Sequence, residues 1–313
     1  MTASLVPIVV AIAIAHGSLL VSCASSEEAP QVSLPVAVDA SGLPTVTNDL
    51  GYSVELQEAR LMVKDLTFAI AGEAHASSRP LWQRLADGLI ARAYAHPGHY
   101  QAGDVTGELR GRFLLSWLRD GSPPTDPEPT TLGQAMLLAG AYKSANFVFA
   151  EAMESDGVSA DDPLLGHTAI LRRLATPTTI GSTTTPSRPI PFVALIDAPK
   201  DRAVIGIPFV FDVGPKTTAQ LEVRLLLTDP EEGDTLFDGI DFSTIIPEDD
   251  DGEPDGSLQG DSDPRTVVLS ADASTAAISD AYNRLRRTFQ THDHFEVQAS
   301  PSPASAPPAR TGN

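Results

Sequence analysis

The chain is poor in cysteine and in basic residues. It has one cysteine in 313 residues, and 21 Lys and Arg against 41 Asp and Glu, which gives a formal net charge of −20. A single thiol excludes an intrachain disulfide and a site built from several thiolates. The negative charge disfavours nucleic acid as a partner, since phosphates require a basic surface, and it favours the accumulation of cations.

The signature motifs of common enzyme classes are also missing. The sequence has no Gly-x-Ser-x-Gly nucleophile elbow, no phosphate-binding loop, no dinucleotide-binding glycine pattern and no His-Glu-x-x-His motif. Without a recognisable catalytic constellation, we expect a binding protein rather than an enzyme.

The single cysteine follows an apolar N-terminal segment. Residues 5–15 read LVPIVVAIAIA, which is the length of a signal-peptide hydrophobic region and shorter than the ~20 residues of a membrane-spanning helix. No Lys or Arg precedes this run. Leu20 then lies three residues before Cys23, and the small residue Ser22 lies directly before it. This segment resembles the signal peptide and lipobox of bacterial lipoproteins.

The resemblance implies an exported, lipid-anchored protein. Residues 1–22 would be removed, Cys23 would carry the lipid, and residues 23–31 would form a tether. In lipoproteins of this type, Ala24 rather than aspartate after the cysteine favours the outer membrane, facing the periplasm or the cell surface. The expected partners are therefore the membrane, through the lipid, and a protein of the cell envelope.

The remaining chain divides into a β domain and a tail. Residues 32–299 form the predicted domain, and residues 300–313 are rich in Pro, Ser and Ala and are expected to be disordered. A Pro-, Ser- and Thr-rich stretch at 175–191 is either an exposed excursion or a linker that subdivides the domain.

Short strands dominate the predicted domain. Apolar residues alternate at period 2 in residues 32–38 and 52–70. Further short apolar runs, separated by turn residues, cover 113–118, 134–138, 146–150, 168–171, 192–196, 205–213 and 220–227. We predict a mainly β fold with one or two short helices, arranged as an antiparallel β-sandwich of the immunoglobulin-like or double type.

Each of two predicted helices leads into a pair of histidines. One begins near Pro80 and is followed by His96-Pro-Gly-His99, where a tight turn would bring both imidazoles to one side. The other covers residues 275–290 and is followed by His292-Asp-His294, where an extended backbone would place both side chains on one face.

Paired histidines suit a borderline metal such as zinc or copper. His96, His99, His292 and His294 are the candidate ligands, with His75 and His167 available to complete a four-coordinate site. The alternative is structural, because histidines after a helix also bond to its last free carbonyls and are favoured by its dipole.

An acidic segment partly matches a calcium-binding loop. With Asp251 at position 1, Glu253 and Asp255 occupy positions 3 and 5, but position 12 is a serine, so Asp261 or Asp263 would have to substitute for the usual glutamate. The alternative is a solvated acidic loop. A second carboxylate-rich string, residues 228–242, contains apolar residues that are expected to pin it to the core.

Two functions remain open at this level. The leading hypothesis is a non-catalytic lipoprotein that binds copper or zinc through its paired histidines. The alternative is a surface module that recognises a protein or a glycan, with structural histidines and a calcium-stabilised acidic loop.

Overall fold

The computed structural model describes residues 30–41, 43–70, 105–119, 131–178, 189–245, 266–273 and 275–301. Several predictions lie outside these ranges. They concern the signal peptide with Cys23, the helix near Pro80, the tail after residue 301, the histidines His75, His96 and His99, and the calcium candidates Asp251, Glu253, Asp255 and Asp261.

The described chain is mainly β, as predicted. The strands are β1 (Gln31–Asp39), β2 (Val46–Thr47), β3 (Tyr52–Ile70), β4 (Val105–Leu118), β5 (Thr131–Leu138), β6 (Gly140–Phe149), β7 (Ala169–Pro177), β8 (Ile190–Ile196), β9 (Ala203–Val213), β10 (Ala219–Leu225), β11 (Val267–Leu269) and β12 (Phe295–Pro301). One α-helix, α1 (Ala276–Phe289), and two short 3₁₀ turns, Glu154–Asp156 and Phe242–Thr244, complete the described elements. None of the described helices is long and apolar enough to cross a membrane.

The strands form one curled sheet of mixed direction. Its main path runs β11-β8-β7-β3-β4-β5-β1-β10-β12, with β2 and β6 on β3 and β9 on β6. The purely antiparallel arrangement predicted from sequence was wrong, because β1 pairs in parallel with β10, and β11 with β8. Parallel neighbours need long connections, and both pairs are far apart in sequence. All twelve strands belong to one hydrogen-bonded network, so a two-sheet sandwich is not confirmed.

The long strand β3 joins the two halves of the sheet. One edge pairs with β4, while the other pairs first with β7, along Tyr52 to Leu61, and then with β6, along Val63 to Ile70. The ladder is irregular between Lys64 and Leu66, where Asp65 adopts a positive φ of 53°. Bulges of this kind bend a strand, which lets β3 follow the curl of the sheet.

The strands flanking the Pro- and Thr-rich stretch at 175–191 are direct neighbours. β7 and β8 pair in antiparallel register from Ala169 with Ile196 to Ala175 with Ile190. Both strands therefore belong to the same part of the sheet.

The predicted helix after residue 275 is confirmed. Thr275 caps it, since its side-chain oxygen accepts a hydrogen bond from the N–H of Ile278 at 3.2 Å. The buried stripe consists of Ile278, Ala281, Tyr282, Leu285 and Phe289, at the spacing of one helix face. The helix is followed by residues 291–294, which lie directly before β12.

Candidate functional site

A pocket of about 200 Å³ opens where β10 ends and β12 begins. Its wall combines residues from β9, from the segment after β10, and from the turn between α1 and β12. The lining residues are Pro208, Leu226, Asp229, Pro230, Glu231, Glu232, His292, Asp293, Phe295 and Glu296.

The pocket lies beside the contact between β9 and β12, where two edges of the curled sheet approach each other. β9 and β12 contact each other, yet among the described strands no ladder joins them, since β9 pairs with β6 and β12 with β10. Pro208 has no N–H to donate, which suits it to a sheet edge. Side chains, rather than a backbone ladder, therefore fill the space between the edges of β9 and β12.

Two turns supply the polar part of the wall. In the first, the Asp229 carboxylate accepts a hydrogen bond from the N–H of Glu231 at 2.7 Å, and Gly233 follows with a positive φ of 80°. In the second, the N–H of Phe295 donates to the carbonyl of His292 at 3.0 Å, and the N–H of Leu226 donates to the carbonyl of His294 at 2.9 Å. These bonds fix both turns to the ends of β10 and β12.

The anchoring of residues 228–242 matches the expectation from sequence. Leu236, Phe237, Ile240 and Phe242 are buried in the main core. The Asn48 side chain also donates to the carbonyls of Phe237 at 3.2 Å and Ile240 at 2.9 Å. The acidic turn that precedes these residues is thereby held at the rim of the pocket.

The pocket is strongly negative. Five of its lining side chains are carboxylates, those of Asp229, Glu231, Glu232, Asp293 and Glu296. Arg224 forms ion pairs at 3.1 Å with Glu296 and with Asp39, so it neutralises only part of this charge. Imidazole nitrogen and carboxylate oxygen are the types of donor that divalent cations bind in proteins.

Only one histidine of the second pair lines the pocket. His292 has a side chain 20% exposed, and its Nε2 lies 3.2 Å from Oδ1 of Asp293. The segment from Thr291 to His294 bends into a turn, so the extended backbone predicted for this pair is not observed. The two side chains therefore do not share a strand face.

His294 is instead part of the packed interior. It is 2% exposed, and its Nδ1 lies 3.0 Å from the carbonyl oxygen of Leu226. Because a carbonyl oxygen only accepts, Nδ1 is the protonated nitrogen of the ring. Burial lowers the pKa of His294, which keeps the imidazole neutral near neutral pH.

His167 is the remaining described candidate, and it does not line the pocket. Its Nδ1 lies 2.8 Å from Oδ1 of Asp197, whose N–H in turn donates to the Tyr282 hydroxyl of α1 at 3.2 Å. The pair fastens the chain between the 3₁₀ turn Glu154–Asp156 and β7 to the end of β8 and to α1.

The pocket side chains are not gathered into a ready coordination group. Across the residues that the structure describes, no three His, Cys, Asp or Glu side chains lie close enough together to hold a metal ion. A cation in the pocket would therefore be bound partly through water or after side-chain rotation. Bound water is a common ligand of divalent cations at carboxylate sites.

Sequence reasoning noted the carboxylate-rich string 228–242 but did not place its acidic turn beside His292. Asp229, Glu231 and Glu232 follow the end of β10, and His292 and Asp293 precede β12. The two strands are antiparallel neighbours, and the end of one strand lies beside the start of the other in such a pair. That pairing was the missing information, because the partners Leu225 and Phe295 are far apart in sequence.

Comparisons with known proteins do not identify a family or a function for this chain. No protein-family model matches the chain, and no curated protein matches it. A solved structure, MbnP from Methylosinus trichosporium, is similar with 16% sequence identity, over 63% of this chain and 76% of that one, at a TM-score of 0.23. A TM-score this low does not establish a shared fold.

Proposed function

We propose that this chain is an exported, lipid-anchored binding protein that holds a divalent metal ion in the acidic pocket. Cys23 carries the lipid, and His292 supplies the nitrogen ligand. The observation that carries the proposal is that one imidazole and five carboxylates line the same pocket. The role is non-catalytic: to capture the metal or to present it to a protein of the envelope.

The donor set favours zinc or copper(II) over calcium. Calcium binds oxygen ligands, and imidazole nitrogen suits zinc and copper. Asp293 lies beside His292, and a neighbouring carboxylate orients an imidazole and raises its basicity as a ligand. The net charge of −20 supports the same conclusion, because it concentrates cations around the domain.

The test is metal binding by the full chain after treatment with a chelator. Zinc and copper(II) should each raise the melting temperature, since a ligand at a hundredfold its Kd adds about 2.7 kcal/mol of stability. We expect His292→Ala to weaken zinc binding at least tenfold and Asp293→Asn to weaken it by a similar factor, measured by titration calorimetry. His167→Ala is the matched control and should bind zinc like the wild type.

A calcium titration shows whether binding requires the His292 nitrogen or only the negative charge of the pocket. Any calcium binding should survive His292→Ala, because only the carboxylates contribute to it. Zinc binding that is unchanged in both His292→Ala and Asp293→Asn would contradict the pocket as the site.

A surface module is the second candidate, and the outer face of β9 favours it. Ile205 is 53% exposed and Val210 is 64% exposed, on the strand that also gives Pro208 to the pocket wall. Exposed apolar side chains next to a pocket suit contact with a protein or a glycan. If none of zinc, copper(II) or calcium changes the melting temperature, this candidate becomes the leading one.

A further inference from the structure

Arg224 connects the acidic pocket to the strand β1. Its ladder neighbours are Asp39 on β1 and Glu296 on β12, so the three side chains form one row across one face of the sheet. Glu296 also lines the pocket, and Asp39 lies outside the pocket wall. The positive charge of Arg224 therefore acts on the pocket through Glu296.

The guanidinium is held from the β1 side independently of Glu296. Its Nη1 lies 3.1 Å from Oε2 of Glu296, while Nε lies 3.1 Å from Oδ2 of Asp39 and Nη2 donates to the Ser41 hydroxyl oxygen at 3.0 Å. Ser41 is fixed in turn, because its N–H and its hydroxyl donate to the Asp39 carboxylate at 2.9 and 2.5 Å. Asp39 and Ser41 therefore keep the guanidinium in place when Glu296 turns away from it.

The pair of Arg224 with Glu296 is open to exchange. The two side chains are 18% and 28% exposed, and an ion pair in contact with water is held only weakly, since both charges stay partly solvated. The described residues gather no ready coordination group, so a cation in the pocket needs a side chain that rotates towards it. Glu296 is such a side chain, because it lines the pocket and its present partner is exchangeable.

The charge of Arg224 opposes a cation in the pocket in two ways. It repels the cation directly, and it holds a carboxylate that the cation attracts. Neither effect involves the nitrogen of His292, so both act on any divalent cation. Arg224 thus lowers the affinity of the site without being a ligand.

On the premise of the metal site proposed above, we propose that Arg224 is the positioning residue that makes metal binding reversible. Glu296 exchanges between two partners, the guanidinium without metal and the cation with metal. When the cation leaves, Arg224 takes the carboxylate back. A receiving protein of the envelope therefore competes with a pocket whose affinity is kept low.

The test is a calorimetric titration of the full, chelator-treated chain with zinc at low ionic strength. Arg224→Met should bind zinc about three- to tenfold more tightly than wild type, because it removes a positive charge beside the pocket. This gain should shrink at high salt, which screens partly exposed charges. Arg224→Lys keeps the charge and should stay within about twofold of wild type. Loss of a merely structural contact would leave the affinity unchanged or lower it, so the sign of the change identifies the role.

Glu296 and Asp39 test the exchange from its two ends. In a Glu296→Gln background, Arg224→Met should add less than about twofold, since the carboxylate for which Arg224 competes is gone. Asp39→Asn keeps Arg224 and removes its other counter-charge, so it should weaken zinc binding about two- to threefold from outside the pocket wall. Any calcium binding should change in the same directions as zinc binding.

Arg172→Met is the matched control. The Arg172 side chain is 41% exposed and pairs with Glu58 on β3, so this variant loses the same charge away from the pocket wall. It should bind zinc within about twofold of wild type. If wild type binds zinc and Arg224→Met binds it no more tightly, the role of Arg224 is overturned and the metal site stands. If neither chain binds zinc or calcium, the metal site and the role of Arg224 are overturned together.

Discussion

The ion pairs of Arg60 hold the chain between β6 and β7 against the outer face of β3. The Arg60 and Asp162 side chains are 6% and 9% exposed, and Glu58 completes the group. Beside them, on the same face of β3, lies a second small core of Met62, Ala150, Ala152, Val158, Leu164 and Ile170. The opposite face of β3, with Ala59, Leu61 and Val63, packs into the main core, so both faces of the strand are covered at this point.

Replacing Asp162 with asparagine should destabilise the protein by about 3 kcal/mol at neutral pH, because removal of one member leaves Arg60 buried and under-compensated. The hydrogen bond from Arg60 lowers the pKa of Asp162 in the folded state. The stabilisation by the carboxylate is therefore complete above the unfolded pKa of about 3.9, and it is lost as the pH falls through the lower folded value. The measurement is urea unfolding of wild type and Asp162→Asn at pH 7 and near pH 3.

The exposed neighbour Asp161 provides the control for this prediction. Asp161→Asn should leave stability within about 0.5 kcal/mol of wild type at both pH values. If the deficit of Asp162→Asn were as large at pH 3 as at pH 7, the charged form of the carboxylate would not be its source.

Elements differ in how far their own sequence determines them. The stripe of Ile278, Tyr282, Leu285 and Phe289 is complete within α1, so periodicity alone predicts the helix. In β3, residues from Glu58 to Val63 are buried without alternation. The outer face of β3 is covered by a segment about a hundred residues later in the chain. Because the burial of these residues depends on that segment, alternation within β3 does not predict it.

The cap of α1 allows a direct test at this scale. Thr275→Ala removes the oxygen that accepts from the N–H of Ile278, and it should cost about 1 kcal/mol of folding stability in urea unfolding. The same substitution at Thr288, in the last turn of the helix, serves as the control, because its hydroxyl donates only to the carbonyl of Arg284 within the helix and caps no free N–H. Thr288→Ala should be neutral or slightly stabilising, since alanine is the better helix former. Equal losses at the two positions would argue against a capping role for Thr275.

At the scale of the whole molecule, most strands were predictable but their arrangement was not. Alternation and turn residues mark β1, β8, β9 and β10 close to their observed bounds. The parallel pairing of β1 with β10 joins segments more than 180 residues apart, as shown by the partners Val36 and Leu221. The pocket depends on such pairings, which is why His292 and the carboxylate-rich string 228–242 could each be singled out from the sequence but their proximity could not.

This parallel pairing gives the domain a direction relative to the proposed anchor. β1 begins at Gln31, eight residues after Cys23, and runs alongside β10 towards the pocket. The eight residue steps from Cys23 to Gln31 span at most about 28 Å, so the start of β1 stays near the membrane if Cys23 carries the lipid. The nine residues of β1 then rise by about 30 Å, and with a lipid on Cys23 we therefore expect the acidic pocket at the end of the domain that faces away from the membrane.

The direction can be measured with fluorescent labels on the lipidated chain in vesicles. Lys216, in the turn before β10, is exposed at the anchor end, and Glu231 is exposed at the pocket end. Since Cys23 is the only natural cysteine and its sulfur carries the lipid in this proposal, Lys216→Cys and Glu231→Cys each provide one reactive thiol. Energy transfer to an acceptor in the lipid headgroups should be stronger from position 216, because the length of β10 separates the two sites by about 20 Å. Equal transfer from both positions, or stronger transfer from position 231, would show that the pocket faces the membrane or lies beside it, and a partner would then have to reach the metal at the lipid surface.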